Sequence, residues 1–250
     1  MLIFYVRHGE PIYKPNQLTP LGEKQAESVA KRLAQWDMDT IYASTSNRAM
    51  QTAEPLCRLL GKEMVLLDFL NEHNASSIMQ VTSPDGVRAW VWAHPYYSEL
   101  LSSREVREMG DRWYEHPELA DFSFGPLVDT VGRELDALLA SHGYEHDRER
   151  GLYRVVNRAT EKKIVIFAHE GMGKIVMSHL LDIPFPYYAT RFEMDHTGVT
   201  VIRLDDDTTK YPETARDYAR ARVLTLSNDG HLFRDGFPPI HHSSRMINEY

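Results

Sequence analysis

The run Leu2-Ile3-Phe4-Tyr5-Val6-Arg7-His8-Gly9-Glu10 decides how the rest of this chain is read. Its first five residues are apolar without alternation and include β-branched and aromatic members, the mark of a strand buried on both faces within a parallel sheet. The apolar run stops at once on Arg7, His8, Gly9 and Glu10. In open α/β sheets, ligands bind in the crevice outside the carboxyl ends of the strands. An Arg and a His placed there, with a Gly that lets the backbone come close, suit an anion and a nucleophile. A strand closed by a solvated turn would show the same residues.

Beyond this stretch the chain repeats strand, loop and helix. Thr19 can cap a helix that has Pro20 at its first position. Apolar residues then recur at Leu21, Ala26, Val29, Ala30, Leu33 and Trp36, the spacing of one buried helical face. Thr40 to Ala43 reads as a second strand and Ser44 to Asn47 as a loop. A helix from about Arg48 to Leu60 follows, with Ala49, Ala53, Leu56, Leu59 and Leu60 facing inward and Gly61 as its stop. Arg48 therefore falls in a first helical turn, where the helix dipole disfavours a cation unless an anion is bound. Met64 to Leu67 forms a third strand and leads to Glu72 and His73.

From about 73 to 125 the pattern breaks into short pieces punctuated by Pro84, Pro95 and Pro117. Trp90, Trp92, Tyr96, Tyr97, Trp113 and Tyr114 are interleaved there with Arg88, Arg104, Arg107 and Arg112. This reads as an inserted helical lid, helical around Ser103 to Glu115, which packs its own aromatic residues. Leu127 to Leu139 is an amphipathic helix, and Tyr144 to Lys163 is polar and is expected to loop outward. Ile164 to Ala168 then repeats the opening pattern, an apolar strand that ends in His169, Glu170 and Gly171, with a helix from about Met172 to Leu181 behind it. Gly198 to Leu204 and Arg222 to Leu226 read as later strands joined through the acidic turn at Asp205, Asp206 and Asp207. His241 and His242 lie in a Pro-flanked tail that reads as solvated.

With 250 residues the chain can form one large domain, here expected over 1–250 with the lid at about 73–125. The predicted class is α/β, a three-layer αβα arrangement around a mostly parallel sheet with helices on both faces. A formal net charge of −8 argues against nucleic acid and anionic membranes as partners. The single cysteine, Cys57, fits a reducing compartment and reads as a buried structural thiol. No apolar run reaches the ~20 residues needed to cross a bilayer. The expectation is a soluble, cytoplasmic protein.

Two strands ending in histidine and a helix opening on Arg48 form a constellation that resembles the histidine phosphatase superfamily, which includes the cofactor-dependent phosphoglycerate mutases. The residues that carry the resemblance are Arg7-His8-Gly9-Glu10, Leu18-Thr19-Pro20-Leu21-Gly22 with Gln25-Ala26, Ser44 to Ala53, Leu70-Asn71-Glu72 and His169-Glu170-Gly171. It implies that His8 is a nucleophile that becomes a phosphohistidine, with Arg7, Arg48 and His169 binding the phosphoryl oxygens. Glu72 matches the family's general acid. Glu170 is its rival, because in the acid-phosphatase branch the acid directly follows the second histidine. Asn16 is a further phosphate contact or a turn residue, and Glu10 is expected to border the pocket.

Such a cluster stabilises phosphoryl transfer by positioning and charge, and needs neither a metal ion nor another cofactor. The residues after Glu72 are His73, Asn74, Ala75 and Ser76, where the mutases carry an Arg-His-Tyr-Gly run. The implied activity is therefore a phosphatase acting on a small phosphomonoester, with mutase-type phosphotransfer as the runner-up and a non-catalytic phospho-ligand or protein-binding module as the alternative of another class. A metal site built from His8, His169, His73 and Glu10 is disfavoured, since Arg7 and Arg48 would repel the cation. The aromatic and Arg content of the lid points to a substrate with an apolar or planar group.

Overall fold

Along β1 (Leu2–Arg7) successive side chains enter two different cores. Ile3 and Tyr5 join one buried cluster, Phe4 and Val6 the other, and all four are at most 1% exposed. Period-2 alternation of apolar side chains on both faces leaves nothing for solvent, so helices must cover each side. Burying a side chain of this size contributes on the order of 2 kcal/mol. The computed structural model describes residues 1–82, 86–157, 162–205 and 217–237. Pro84, Asp206, Asp207, His241 and His242 lie outside the described residues.

A two-stranded hairpin, β2 (Pro11–Ile12) and β3 (Gln17–Leu18), leads into α1 (Pro20–Leu33), where the Thr19 hydroxyl accepts from Gly22 N–H at 2.9 Å as the expected cap. Then come β4 (Thr40–Ser44), α2 (Asn47–Leu60) and β5 (Met64–Leu67). Helices α1 and α2 pack on the Phe4 and Val6 side. Trp36 and Leu59 depart from the expected buried faces: they are 44% and 54% exposed, Trp36 because the chain tightens into a 3-10 turn after Leu33. Cys57 is only half-buried.

On the opposite side lie α3 (Glu72–Met79), the small hairpin β6 (Gln80–Thr82) and β7 (Arg88–Trp90), α4 (Pro95–Ser102), α5 (Arg104–Glu108) and α6 (Phe124–Ser141). Their buried residues, among them Met79, Leu101 and Leu135, are continuous with Ile3, Tyr5 and Ile166. Trp113 is 1% exposed and stacks on Phe124 and Phe185 at 5.3 and 4.9 Å. Apart from Tyr96, which is 51% exposed, the aromatic residues of the insertion named above thus join or pack against the main core. Its arginines turn elsewhere: Arg104 pairs with Glu108, Arg112 with Glu115, and Arg107 lies over the Tyr187 ring.

The segment expected to loop outward instead forms a hairpin, β8 (Tyr144–Asp147) with β9 (Leu152–Val155). Its strand signal is hidden by polar residues that find partners. Glu145 pairs with Arg154 across the hairpin, and the buried His146 ring bridges Asp136 and Asp182 at 3.0 Å each, while Tyr153 and Val155 alternate inward. After β10 (Lys163–Ala168) come α7 (Glu170–Leu181), α8 (Phe185–Ala189), β11 (Val199–Asp205), β12 (Tyr218–Asn228) and α9 (Gly230–Arg234). The eight-stranded sheet runs β5-β4-β10-β1-β11-β12-β9-β8. It is mixed: β5, β4, β10 and β1 are parallel, as the αβα reading requires, and β11, β12, β9 and β8 extend it antiparallel.

Candidate active site

Because β4, β10 and β1 are parallel, their carboxyl ends meet at one edge, with Arg7 in register with Ala168 and His8 N–H bonded to Ala168 O at 2.9 Å. A cavity of about 850 Å³ opens there, with Arg7, His8, Asn16, Arg48, Glu72 and Glu170 in its wall. The loop from Gly9 to Gly22 is drawn tight beneath it. A Cβ on Gly9 would lie 2.6 Å from Gly22 O, and one on Gly22 would lie 2.2 Å from Glu10 O, so only glycine permits this approach.

His8 is 3% exposed, and its Nδ1 lies 2.7 Å from Gly9 O. A carbonyl can only accept, so Nδ1 carries the proton and Nε2 keeps its lone pair. Burial first, then His169, Arg7, Arg48 and His196, holds the His8 pKa well below that of an ordinary histidine. The ring is therefore neutral at physiological pH.

Arg7 Nη1 lies 2.9 Å from Glu170 Oε2 and donates to Met194 O. Arg48, 8% exposed at the start of α2, donates from Nη1 to Asn16 Oδ1 at 2.9 Å and lies over the Tyr13 ring. Burial lowers its pKa, a tendency that neighbouring Glu72 opposes. Asn16 also donates to Ser46 Oγ at 3.0 Å, so its side chain both borders the cavity and orients Arg48.

His169 is fully buried behind this wall, its ring 5.1 Å from that of His8. Its Nε2 lies 2.8 Å from Ser44 Oγ, which accepts from Ser46 N–H at 3.2 Å; with the hydroxyl proton given to Nε2, the imidazole proton sits on Nδ1. Burial, Arg48 and Arg7 lower the pKa of His169 well below the usual value. Arg48 Nε and His169 Nδ1 are both buried without a hydrogen-bond partner among the described residues. An unsatisfied buried donor costs about 1–3 kcal/mol, which an acceptor such as a phosphoryl oxygen would recover.

Glu72 opens α3, and its Oε1 and Oε2 accept from Gly171 N–H at 3.0 Å and Met172 N–H at 2.8 Å, the first turn of α7. Burial pushes its pKa up to about 7, against the opposing pull of the Met172 and Gly171 N–H groups and of Arg48 and Arg7. A Cβ on Gly171 would lie 2.6 Å from Glu72 Oε1 and 2.7 Å from the Trp90 ring, so the carboxyl group reaches the helix end only because residue 171 has no side chain.

Glu10 does not border the cavity: its Oε1 accepts from the Thr19 hydroxyl at 2.9 Å, turned toward the start of α1. That removes a ligand from the metal arrangement of His8, His169, His73 and Glu10. Among the described residues, the His/Cys/Asp/Glu trio close enough to share an ion is Asp136, His146 and His179, on α6, β8 and α7.

Several wall residues escaped the sequence reading. Tyr13, Thr190, Arg191 and Glu193 line the cavity from loops that carry no distinguishing pattern; of the lid aromatics named from the sequence, Trp90 and Trp92 reach the wall, stack 4.7 Å apart and form an apolar side. The ring of His196 lies 5.6 Å from His8. Next to it Thr197 adopts φ of 57°, a left-handed conformation rare for a β-branched residue, and its N–H faces the carbonyls of Arg7 and His8 at 3.0 and 3.3 Å. Backbone strain of that kind in a loop was the one signal available, and it is invisible in sequence.

Residues 3–215 match the histidine phosphatase superfamily (branch 1), and the chain belongs to that superfamily. Among curated proteins it is similar to the "Putative phosphoserine phosphatase 2" of Hydrogenobacter thermophilus, at 22% identity over 214 residues that cover 82% of this chain and 90% of the relative. The phosphoserine phosphatase of Entamoeba histolytica, solved with phosphoserine, superposes with a TM-score of 0.55 at 18% identity, covering 92% of this chain and 98% of that one. A mycobacterial glucosyl-3-phosphoglycerate phosphatase gives 0.57 at 18%, covering 90% and 98%. The alpha-ribazole phosphatase of Shigella flexneri gives 0.53 at 18%, covering 92% and 97%. At such identities these structures establish the shared fold.

Proposed function

We propose that this chain is a phosphoric monoester hydrolase that works through a phosphohistidine at His8. The observation that carries the proposal is the pairing, in one cavity, of a neutral histidine whose Nε2 is free to attack with a buried carboxyl group whose pKa lies at about 7. Arg7, Arg48 and His169 bind the phosphoryl oxygens, and the orphaned donors of Arg48 and His169 supply the reason.

In the first step the Nε2 lone pair forms the N–P bond as the P–O bond to the leaving alcohol breaks, and Glu72 gives its proton to the departing oxygen. The phosphorylated ring becomes cationic, and its Nδ1–H strengthens its bond to Gly9 O. In the second step Glu72, now a carboxylate, takes a proton from water while the water oxygen attacks phosphorus and the N–P bond breaks. Phosphate leaves, and both His8 and Glu72 return to their starting forms. No step calls on a metal ion. Asn16 serves by holding Arg48.

The full chain acts as one domain, in which segment 73–125 is the lid that shapes the leaving-group end of the cavity. Trp90 and Trp92 favour a substrate with an apolar or planar portion. Transfer to water rather than to a second substrate hydroxyl is supported by the phosphatase names of the relatives and by the His73-Asn74-Ala75-Ser76 sequence after Glu72. A single cysteine suits a reducing, cytoplasmic setting. The deciding experiment traps the enzyme during turnover of a radiolabelled phosphoester: acid-labile, base-stable label on His8 is the expected result. Label on another residue, or turnover without label, overturns the proposal.

A further inference from the structure

Glu170 places a carboxylate in the wall of a cavity that, on the reading above, binds a phosphoryl group. By charge alone this is the wrong residue for the position. Its surroundings explain it. Oε2 faces Arg7 Nη1 at 2.9 Å and Oε1 faces Lys174 Nζ at 3.5 Å, so each oxygen meets a cation. Lys174 stands four residues on along α7, on the same helical face, and is 1% exposed.

The two cations then reach a single segment. Lys174 Nζ donates to Ala189 O at 3.3 Å and to Phe192 O, and Arg7 Nη1 donates to Met194 O. Lys174 also lies over the Trp92 ring, 5.6 Å from its centroid. Three carbonyls, one at the end of α8 and two in the stretch leading to β11, are thus tied to the two partners of Glu170. The same segment carries Thr190, Arg191 and Glu193 into the cavity wall.

We infer that Glu170 and Lys174 are positioning residues: Glu170 fixes the Arg7 guanidinium in its phosphate-gripping orientation and, through Lys174, links it to the 189–194 segment that borders the substrate. Arg7 alone, on a long side chain, could turn several ways; a carboxylate and a backbone carbonyl held by the same Nη1 pin that end of the planar fork and so aim the rest of it. A buried lysine earns no stability by itself, since its desolvation is offset only by the partners it keeps. Glu170 is in this account neither acid nor base. The inference rests on the cavity being the phosphoryl-transfer site, and the test separates the two.

The full-length protein is compared with Glu170→Gln, Lys174→Met, Lys174→Arg and the Glu170→Gln/Lys174→Met double variant, after thermal unfolding has shown that each is folded. Inorganic phosphate binding is measured by calorimetry, and kcat and KM are measured with p-nitrophenyl phosphate and with β-glycerophosphate. Charge alone predicts that Glu170→Gln binds phosphate more tightly, because a repelling carboxylate is gone. Positioning predicts the reverse: binding weakens about tenfold, and kcat/KM falls by up to ~100-fold, as for a group displaced by about an ångström. The fall is equal for the two substrates, and the pH profile keeps its shape. Lys174→Met moves the same way, Lys174→Arg recovers part of the loss, and the double variant is no worse than Glu170→Gln alone.

Tighter phosphate binding by Glu170→Gln, additive losses in the double variant, or a loss confined to β-glycerophosphate each overturn the inference, the last by making Glu170 the acid. If neither Lys174 variant folds, the Glu170→Gln results decide. A wild-type protein that binds phosphate but never forms the phosphoenzyme refutes the proposed function and leaves the calorimetric test of Arg7 positioning intact.

Discussion

Replacing Glu72 by Gln isolates the proposed proton donor from the rest of the cavity. At pH 7 a carboxyl group with a pKa of about 7 is half protonated, whereas one at the ordinary value of 4.5 is protonated to roughly 0.3%, so burial raises the supply of acid by roughly 150-fold. Losing a positioned acid of matched pKa typically slows a reaction by roughly 10²- to 10⁴-fold. That loss should appear in full with an alkyl phosphate, whose alkoxide needs the proton. It should be far smaller with p-nitrophenyl phosphate, whose leaving group is stable as an anion.

The pH dependence gives a second, independent reading. The proposed first step requires protonated Glu72, so kcat/KM for the alkyl phosphate should fall as pH rises through about 7 in the wild type, and this descending limb should vanish in Glu72→Gln. The substrate's own second ionisation near pH 6 affects both proteins alike, so the ratio of the two profiles reports Glu72 alone. The variant also turns an amide NH₂ toward one of the N–H donors of Gly171 and Met172, which costs about 1–3 kcal/mol of stability. The kinetics therefore belong well below its Tm. Equal losses on the two substrates, or a descending limb that survives the substitution, would refute the assignment.

Gly171→Ala should abolish most activity in a protein that still folds. Its new Cβ would lie 2.6 Å from Glu72 Oε1 and 2.7 Å from the Trp90 ring, and overpacking of that order costs about 1–3 kcal/mol; unchanged kinetics with an unchanged Tm would contradict the close approach. The bridge of His146 between Asp136 and Asp182 should make stability depend on alkaline pH. Its carboxylate partners raise the His146 pKa to about 9 against the opposing effect of burial, so its contribution is full below about 6.5 and is lost as pH rises through 9. Seen from Asp136, whose pKa the two histidines lower to about 2, the same contact is lost as pH falls through that value. Thermal unfolding from pH 6 to 10 should show the alkaline decline in the wild type and a flatter curve in His146→Leu; parallel curves would remove the bridge from the stability of the fold.

The inner strands of the parallel half of the sheet were legible because they are buried on both faces and announce themselves as unbroken apolar runs, as at Leu2 to Val6 and Ile164 to Ala168. The hairpin of β8 and β9 was not, since Glu145, His146 and Arg154 look like loop residues until their partners are known. The same division holds in the cavity. Arg7, His8 and His169 stand at strand ends and Arg48 opens the helix after β4, so topology carries them to one edge. Tyr13, Thr190, Arg191, Glu193 and His196 arrive on loops whose course depends on tertiary packing. Glu10, though next to Gly9, was misplaced because a one-residue step from a tight turn sent its side chain to Thr19.

The two glutamates show where sequence position and environment part company. Glu72 and Glu170 both reach the amino end of α7; by sequence position Glu72 matched the family's acid, and Glu170, directly after His169, was its rival. What distinguishes them is the kind of neighbour. Glu72 meets two neutral N–H groups inside a buried pocket, which leaves desolvation as the larger effect and brings its pKa to the pH at which a carboxyl group can both give and take a proton. Glu170 instead meets two full positive charges, on Arg7 and Lys174. The clue lay in the sequence as a Glu and a Lys four apart at the start of a helix, a spacing that usually marks an exposed pair and here, in a helix buried on most sides, marks an internal one. A carboxylate so held can orient a cation for the substrate, which on the proposed mechanism leaves the carboxyl group beside it to move the proton.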